Sequence, residues 1–157
     1  MTVQDVYVGM CEVRADRGAK VLRSTLGSCV GIGILWRQRR ISALAHCLLP
    51  ESATASEGPS AKYVTDAIPS LLGLLEATPQ DHPQLVAVIA GGAFMMKHMP
   101  PATHGSIGEL NTRMAQKLLN EAGIRIIHTE IGGNAGRQLS IHCDTQDYAV
   151  RTFDRIL

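Results

Sequence analysis

Cys29 and His46 are the two residues whose types and positions could support nucleophilic catalysis. They lie in two apolar runs, residues 25–36 and 41–50, separated by a short polar connection. Such a pattern predicts a β-hairpin. Pairing that is symmetric about the connection places Gly31 opposite His46, and it puts Cys29 on the face of His46 as a diagonal neighbour, about 7–8 Å away between α-carbons. A thiol beside an imidazole can act as a nucleophile next to its base.

The same two residues also fit a purely structural interpretation. Cysteine is among the most buried residue types, and a lone histidine in an apolar strand is more often a hydrogen-bonded core residue than a catalyst. Two features favour catalysis. Residues 27–28 are a glycine and a serine, which is typical of a turn just before Cys29, and Pro50 ends the second strand soon after His46. Both candidates are therefore expected near an opening.

Several short motifs, in order along nearly the whole chain, are similar to those of the CheD family, the chemoreceptor glutamine deamidases. They are Leu26-Gly27-Ser28-Cys29-Val30, Ala45-His46-x-Leu48-Leu49-Pro50, Lys62-Tyr63, Ile89-Ala90-Gly91-Gly92-Ala93, Ile107-Gly108-x-x-Asn111 and Gly132-Gly133-Asn134-x-Gly136-Arg137. The resemblance implies a layered sandwich of mixed β-sheets with helices packed outside, like the catalytic domain of the cytotoxic necrotizing factor toxins. It also implies deamidation of glutamines on methyl-accepting chemotaxis receptors.

Deamidation of a glutamine side chain requires a nucleophile stronger than water. A thiolate can attack the carboxamide to give a tetrahedral oxyanion and then a thioester, which water hydrolyses to glutamate. Because a free cysteine with a pKa of about 8.5 is mostly protonated at neutral pH, an imidazole must accept its proton. In this hypothesis Cys29 is the nucleophile, His46 is the base and acid, and backbone N–H groups around Gly27 and Ser28 bind the substrate oxyanion.

A third group is needed to orient the imidazole. The CheD pattern usually has a threonine shortly before the cysteine, and an alignment without gaps places that position at Arg23 or Ser24. Thr25 is the nearest threonine and is our candidate, although Ser24 also carries a hydroxyl. This departure keeps a second function open, in which the protein is an adaptor, weakly active or inactive, that binds receptors or a CheC-type phosphatase.

The remaining cysteines and histidines predict neither a metal site nor a cofactor. Cys47 is the rival nucleophile, but strand alternation places it on the face opposite His46, where it is expected to pack in the core. The other cysteines, Cys11 and Cys143, are also expected to be structural. The remaining histidines have no spacing typical of metal ligands; they are His82, His98, His104, His128 and His142.

The composition indicates one globular domain over residues 1–157. Hydrophobic residues are 45% and charged residues 18% of the chain, as is ordinary for soluble proteins. A net charge of +1 and 4% aromatic residues argue against a nucleic-acid partner. We see no signal peptide and no apolar run long enough for a membrane span, so we expect a cytoplasmic protein with reduced thiols. Nothing in the sequence demands more than a monomer.

The elements around the hairpin indicate an α+β fold with more strands than helices. Besides the hairpin, strands are predicted over residues 3–13, 19–25, 85–90, 124–131, 138–143 and 148–153. Helices are predicted over 62–77, where Pro69 should bend or interrupt the helix, and after the capping box that begins at Ser106. Residues 51–60 are predicted to be a flexible loop that could border the site, and residues 94–104 an irregular connection.

Overall fold

The computed structural model describes residues 2–94 and 105–153, and within them the chain forms nine strands, two α-helices and a short 3₁₀ helix. In chain order the elements are β1 (Gln4–Tyr7), β2 (Val13–Arg17), β3 (Lys20–Leu26), β4 (Val30–Trp36), β5 (Ile41–Cys47), α1 (Val64–Leu75), the 3₁₀ helix (Pro79–Gln84), β6 (Val86–Gly91), α2 (Ile107–Glu121), β7 (Arg125–Ile131), β8 (Gly136–His142) and β9 (Tyr148–Phe153). Neither described helix is long and apolar enough to cross a membrane.

The strands form two sheets, which makes the α+β layered prediction correct. One sheet has four strands in the order β1-β3-β8-β9, and the other has five in the order β2-β5-β4-β6-β7. The sheets pack face to face around an apolar cluster that includes Leu22, Leu44 and Leu139. The helices pack on the opposite face of the five-stranded sheet around a second cluster that includes Trp36 and Leu71. The likeness to the toxin domain stays a prediction.

The hairpin of β4 and β5 lies at the centre of the five-stranded sheet and has the predicted register. Gly31 pairs with His46, Val30 with Cys47 and Trp36 with Ile41. All seven residues of β4 are buried because the second sheet covers one face and the helices cover the other. A Cβ atom on Gly31 would lie 2.7 Å from Leu26 Cδ1, so glycine permits the two sheets to approach closely here.

Pro69 lies inside α1 and does not end it, so the predicted interruption is wrong. Proline removes one backbone hydrogen bond. The helix continues because its apolar stripe, which includes Val64, Ile68 and Leu71, is buried against the five-stranded sheet. The predicted start of α2 is confirmed, since Oγ of Ser106 accepts a hydrogen bond from the N–H of Glu109 at 3.3 Å.

Residues 3–13, predicted as one strand, contain β1 and only the first residue of β2, and these two strands belong to different sheets. The backbone turns over residues 8–12, where Cys11 has φ +70° and the carboxylate of Glu12 accepts from the N–H of Gly9 at 2.7 Å. This turn carries the chain from the four-stranded sheet to the edge of the five-stranded sheet. It also passes beside His46, whose carbonyl accepts from the N–H of Cys11 at 2.8 Å.

The loop over residues 51–60 is held against α1. The N–H of Ser56 donates to Asp66 at 3.2 Å, and the N–H of Ser60 donates to Ser70 at 3.0 Å. Loop and helix together line a groove of about 400 Å³. Because α1 covers the face of the sheet opposite His46, the loop lies away from that side chain. Of the predicted irregular connection, all but Phe94 lies outside the described residues.

Candidate active site

Cys29 and His46 lie at the same end of the central hairpin and on the same face of the five-stranded sheet. Cys29 immediately precedes β4, and His46 lies in β5 opposite Gly31. Cys29 belongs to the apolar cluster between the two sheets, as does Leu44, which precedes His46 by two residues and therefore shares its face. The register thus brings the thiol and the imidazole to one side of the hairpin as diagonal neighbours.

Both groups are more buried than a position near an opening suggests. Cys29 is 6% exposed and His46 is 5% exposed. The 8–12 turn lies against the backbone of His46, and the segment after β6 lies against the backbone of Cys29, where the N–H of Gly92 donates to the Cys29 carbonyl at 2.9 Å. A small part of each residue remains exposed to solvent.

Burial sets the ionisation of both groups. It raises the pKa of the Cys29 thiol, and a nearby Cys11 thiolate would raise it further. Burial lowers the pKa of His46, and this effect outweighs the hydrogen bond to Val8 and the charge of Glu12, which act in the opposite direction. At neutral pH the resting pair is therefore a protonated thiol and a neutral imidazole.

The imidazole of His46 is oriented by a main-chain carbonyl. Nδ1 of His46 lies 3.2 Å from the carbonyl oxygen of Val8. Because a carbonyl can only accept, Nδ1 must carry the hydrogen, and in a neutral ring Nε2 then has the free lone pair. This tautomer leaves Nε2 available as a base.

Ser24, and not Thr25, contacts the carbonyl that holds the His46 ring. Ser24 is fully buried, and its Oγ donates to the Val8 carbonyl at 2.6 Å, the same oxygen that holds the ring of His46. Thr25 is exposed, and its hydroxyl accepts from the side-chain amide of Gln138 at 3.4 Å. The prediction for Thr25 is wrong because alternation along β3 directs neighbouring side chains to opposite faces of the sheet.

In the turn before Cys29, the backbone carbonyls accept hydrogen bonds, and the N–H groups have no partner among the described residues. The carbonyls of Gly27 and Cys29 accept from the N–H groups of Ala93 and Gly92, each at 2.9 Å. The carbonyl of Ser28 accepts from the side-chain amide of an asparagine in α2 at 3.3 Å. No hydrogen bond within residues 2–94 and 105–153 uses the backbone N–H of residues 27–29. Backbone N–H donors of this kind can bind an oxyanion.

Two turns that contain glycine and one buried arginine pack beside the residues before β4. Gly91 has φ +110°, and a Cβ atom on it would lie 2.3 Å from the Cys29 carbonyl oxygen. Nη1 of Arg137 donates to the carbonyls of Gly91 at 3.2 Å and Gly132 at 2.8 Å, so it connects the ends of β6 and β7. The sequence places these residues in motifs shared with the CheD family and predicts turns at Gly91 and Gly132. The Gly-Gly pair after a buried strand is the only local signal for a close backbone approach, and nothing local predicts the contacts of Arg137.

The rival nucleophile, Cys47, lies on the predicted opposite face. It is fully buried among the residues under the helices, and burial strongly raises the pKa of its thiol. Burial also raises the pKa of Cys143, to about 11. Neither thiol is placed to act as a nucleophile.

The histidines whose surroundings are known are engaged in hydrogen bonds or lie at the surface. Nδ1 of His82 is 2.7 Å from the carbonyl of Ala122, and His128 lies 3.2 Å from both the hydroxyl of Tyr148 and the carboxylate of Glu130. His142 is exposed, and His98 and His104 lie outside the described residues. Across residues 2–94 and 105–153, no three His, Cys, Asp or Glu side chains are grouped closely enough to hold a metal ion.

Comparison with known proteins identifies relatives over nearly the full length of the chain. A family model described as "CheD chemotactic sensory transduction" matches residues 48–152. A probable chemoreceptor glutamine deamidase CheD of Bdellovibrio bacteriovorus is 37% identical, with 92% of each chain covered. The probable chemoreceptor glutamine deamidase CheD 2 of a Ruegeria species is 32% identical over 98% of this chain and 95% of its own. The chemoreceptor glutamine deamidase CheD of Halalkalibacterium halodurans is 33% identical over 94% and 93%.

A solved structure supports the fold assignment alone. The crystal structure of a Neisseria meningitidis protein of the DUF152 family superposes with a TM-score of 0.50 at 10% sequence identity. The alignment covers 83% of this chain and 64% of the other. The layered arrangement of sheets and helices therefore occurs in a protein whose sequence is very different.

Proposed function

The chain belongs to the CheD family, and from this premise we propose that it is a chemoreceptor glutamine deamidase with Cys29 as its nucleophile. The observation that carries the proposal is the pairing of Gly31 with His46, which places thiol and imidazole on one face. The contact between Nδ1 of His46 and the Val8 carbonyl adds a free Nε2 lone pair on that ring. These are the two groups that cysteine-dependent amide hydrolysis requires.

In the first half of the proposed reaction the thiol is acylated. Nε2 of His46 takes the proton of Cys29 while the sulfur attacks the glutamine carboxamide, so that a C–S bond forms and the carbonyl π electrons move to oxygen. The N–H groups of residues 27–29 hold the resulting oxyanion. The imidazolium then returns its proton to the departing nitrogen, the C–N bond breaks, and ammonia leaves a thioester.

In the second half water replaces the enzyme on the acyl group. Neutral His46 takes a proton from water while the water oxygen attacks the thioester. The C–S bond then breaks, and the Cys29 sulfur regains a proton from His46. The net reaction consumes one water and converts one glutamine into one glutamate with release of ammonia. Each turnover therefore adds one negative charge to the substrate protein. The scheme uses side-chain and main-chain groups of this chain alone, without a cofactor.

The family places this chemistry on chemoreceptors, since the relatives are named for receptor glutamines as substrates. The protein would act as a single-domain monomer. It would act in the cytoplasm, where the glutamines of methyl-accepting receptors are accessible. A CheC-type phosphatase is the partner that the family resemblance implies. The low exposure of Cys29 requires a slender side chain to enter beside the 8–12 turn or the segment after β6.

The adaptor function is the less favoured candidate. It depended on the missing threonine, which left His46 without an orienting hydroxyl. Ser24 supplies a hydroxyl at one of the two aligned positions, and this hydroxyl binds the carbonyl that holds the His46 ring. The reason to expect a lost activity is therefore removed.

The decisive test compares two cysteines that lie close together on opposite faces of the hairpin. Purified receptor fragments are incubated with wild type, Cys29→Ala and Cys47→Ala, and ammonia release and the mass change of each glutamine-containing peptide are measured. We expect Cys29→Ala to lose activity by a factor on the order of 10⁴ or more, because the proposed thioester forms on the Cys29 sulfur. Cys47→Ala should keep kcat within about threefold, since its side chain only packs. Equal activity of Cys29→Ala and wild type would exclude this mechanism.

A further inference from the structure

Asn111 connects the segment that carries the nucleophile with the segment that follows the base. It lies in the first half of α2 and is fully buried. Its Nδ2 donates to the carbonyl of Ser28 at 3.3 Å and to the carbonyl of Leu48 at 3.0 Å. Ser28 precedes Cys29 directly, and Leu48 follows His46 by two residues. One side-chain amide therefore fixes the spacing of the two segments.

The same contact determines the direction of a proposed oxyanion donor. The carbonyl of Ser28 and the N–H of Cys29 belong to one peptide unit, and no described peptide bond is cis. In a trans peptide the C=O and N–H point in opposite directions. Because the Ser28 carbonyl is held by Asn111, the Cys29 N–H is directed away from α2, and no partner within the described ranges takes it.

Of the three carbonyls of this turn, only the middle one is held by a side chain. Those of Gly27 and Cys29 accept from backbone N–H groups of Ala93 and Gly92, which no substitution at those positions other than proline removes. We propose that Asn111 is a positioning residue that orients the Ser28–Cys29 peptide so that its N–H meets the oxyanion of the reaction. This inference rests on the proposed deamidase function.

An unpaired atom of the same side chain supports a role beyond folding. Oδ1 of Asn111 is buried and has no hydrogen-bond partner in the described part of the chain. A buried polar atom without a partner is unfavourable, and an apolar side chain of similar size would avoid it. A residue that only filled this space would therefore be better replaced by leucine. The Nδ2 contacts are what leucine would lose.

The test separates a reaction that needs the oxyanion donor from one that does not. Deamidation passes through an oxyanion, whereas alkylation of Cys29 by iodoacetamide forms a C–S bond at a saturated carbon and expels iodide. Asn111→Leu and the smaller Asn111→Ser are compared with Asn120→Leu, a control at an exposed asparagine of the same helix. Alkylation is followed by mass mapping of the Cys29 peptide, and thermal unfolding establishes which variants are folded.

We expect Asn111→Leu to lower kcat for ammonia release by about 10- to 100-fold, while KM stays within about threefold and the alkylation rate of Cys29 within about twofold. Asn111→Ser should also lower kcat while leaving KM and the alkylation rate unchanged. It provides the test if the leucine variant does not fold. Asn120→Leu should match wild type in all three measurements. An unchanged kcat in a folded Asn111 variant, or an equal fall of kcat and alkylation, would overturn the inference.

A second probe keeps this inference separate from the proposed function. A peptide carrying an aldehyde in place of the glutamine carboxamide adds the Cys29 thiol reversibly: the C–S bond forms and the thiol proton ends on the aldehyde oxygen. That oxygen occupies the position of the oxyanion, so Asn111→Leu should raise the dissociation constant of the adduct by about tenfold or more. If wild type releases no ammonia, the proposed function fails, and an unchanged dissociation constant would overturn the inference independently.

Discussion

At the level of single residues, burial controls the site by keeping both reacting groups neutral. A cysteine activated as a thiolate–imidazolium ion pair requires a low thiol pKa and a raised imidazole pKa. Here burial acts in the reverse direction on Cys29 and on His46. In the proposed mechanism, proton transfer therefore accompanies attack on the substrate, with His46 as the general base.

This arrangement predicts the pH profile. Because burial lowers the pKa of His46, we expect kcat/KM for ammonia release to stay constant from pH 8 down to pH 6.5, the ordinary value, and to fall only below it. The alkylation rate of Cys29 by iodoacetamide should rise only as the pH approaches and passes 9.0, because burial raises the thiol pKa above that value. Fast alkylation at pH 6 would indicate an ion pair instead, and an acid limb centred above pH 6.5 would contradict the lowered pKa of His46.

Ser24 and Thr25 provide a matched pair of hydroxyls on adjacent residues. Removal of the Ser24 hydroxyl leaves the Val8 carbonyl with one donor fewer and loosens the orientation of His46. We expect Ser24→Ala to lower kcat by roughly 3- to 10-fold, whereas Thr25→Ala, at the exposed face, should stay within about twofold of wild type. The ammonia-release assay measures both. A larger loss in Thr25→Ala would restore the sequence-based assignment.

At the level of elements, the site depends on two turns that pack backbone against backbone. The segment after β6 approaches the residues before β4 so closely that a side chain at Gly91 has no space. Gly18 also has a positive φ, +82°, but nothing lies within 4 Å of a Cβ atom there. Both glycines therefore adopt a positive φ, but only Gly91 is closely packed against neighbouring atoms.

Replacing each of these glycines with alanine separates the two effects. Gly18→Ala should lower the free energy of unfolding by about 1 kcal/mol, from backbone strain alone. Gly91→Ala should cost at least about 2 kcal/mol more, because Cβ would meet the Cys29 carbonyl, and it should also reduce deamidation. Urea unfolding monitored by circular dichroism gives both values. Equal destabilisation would mean that the turn can move away from Cys29 without consequence.

Elements with a clear hydrophobic period were predictable from the sequence, and the contacts between distant segments were not. The hairpin register followed from two apolar runs about one short connection, and it placed Cys47 on the correct face. The break between β1 and β2 was missed because residues 3–13 alternate through the turn at Gly9 and Cys11. The role of Val8 was also missed, since it depends on a carbonyl and any residue type carries one.

At the level of the whole molecule, His46 lies where the two sheets meet and makes the free energy of unfolding depend on pH. The residue lies in the five-stranded sheet and is held by the carbonyl that follows β1 of the four-stranded sheet. Its neutral form is favoured in the folded protein because burial lowers its pKa, while in the unfolded chain the pKa returns to about 6.5. Below pH 6.5, His46 therefore binds more protons in the unfolded chain than in the folded one.

The free energy of unfolding should consequently decrease as the pH falls from 6.5 toward the lower pKa of folded His46, and this residue should contribute no slope above pH 6.5. His46→Gln should show a shallower slope in that window, whereas His142→Gln, which changes an exposed side chain, should retain the wild-type slope. Urea titrations at a series of pH values measure the slopes. A steeper or unchanged slope in His46→Gln would show that other groups dominate.

Every amino acid contributes a backbone carbonyl like that of Val8, and every one except proline contributes an N–H group like those of residues 27–29. The chain could exchange most of the side chains at those positions and still present the same acceptor to the ring and the same donors to the substrate. A three-dimensional template of the peptide planes around one sulfur and one imidazole would therefore help to find distant enzymes of this kind. It would recover homologues whose sequences can no longer be aligned.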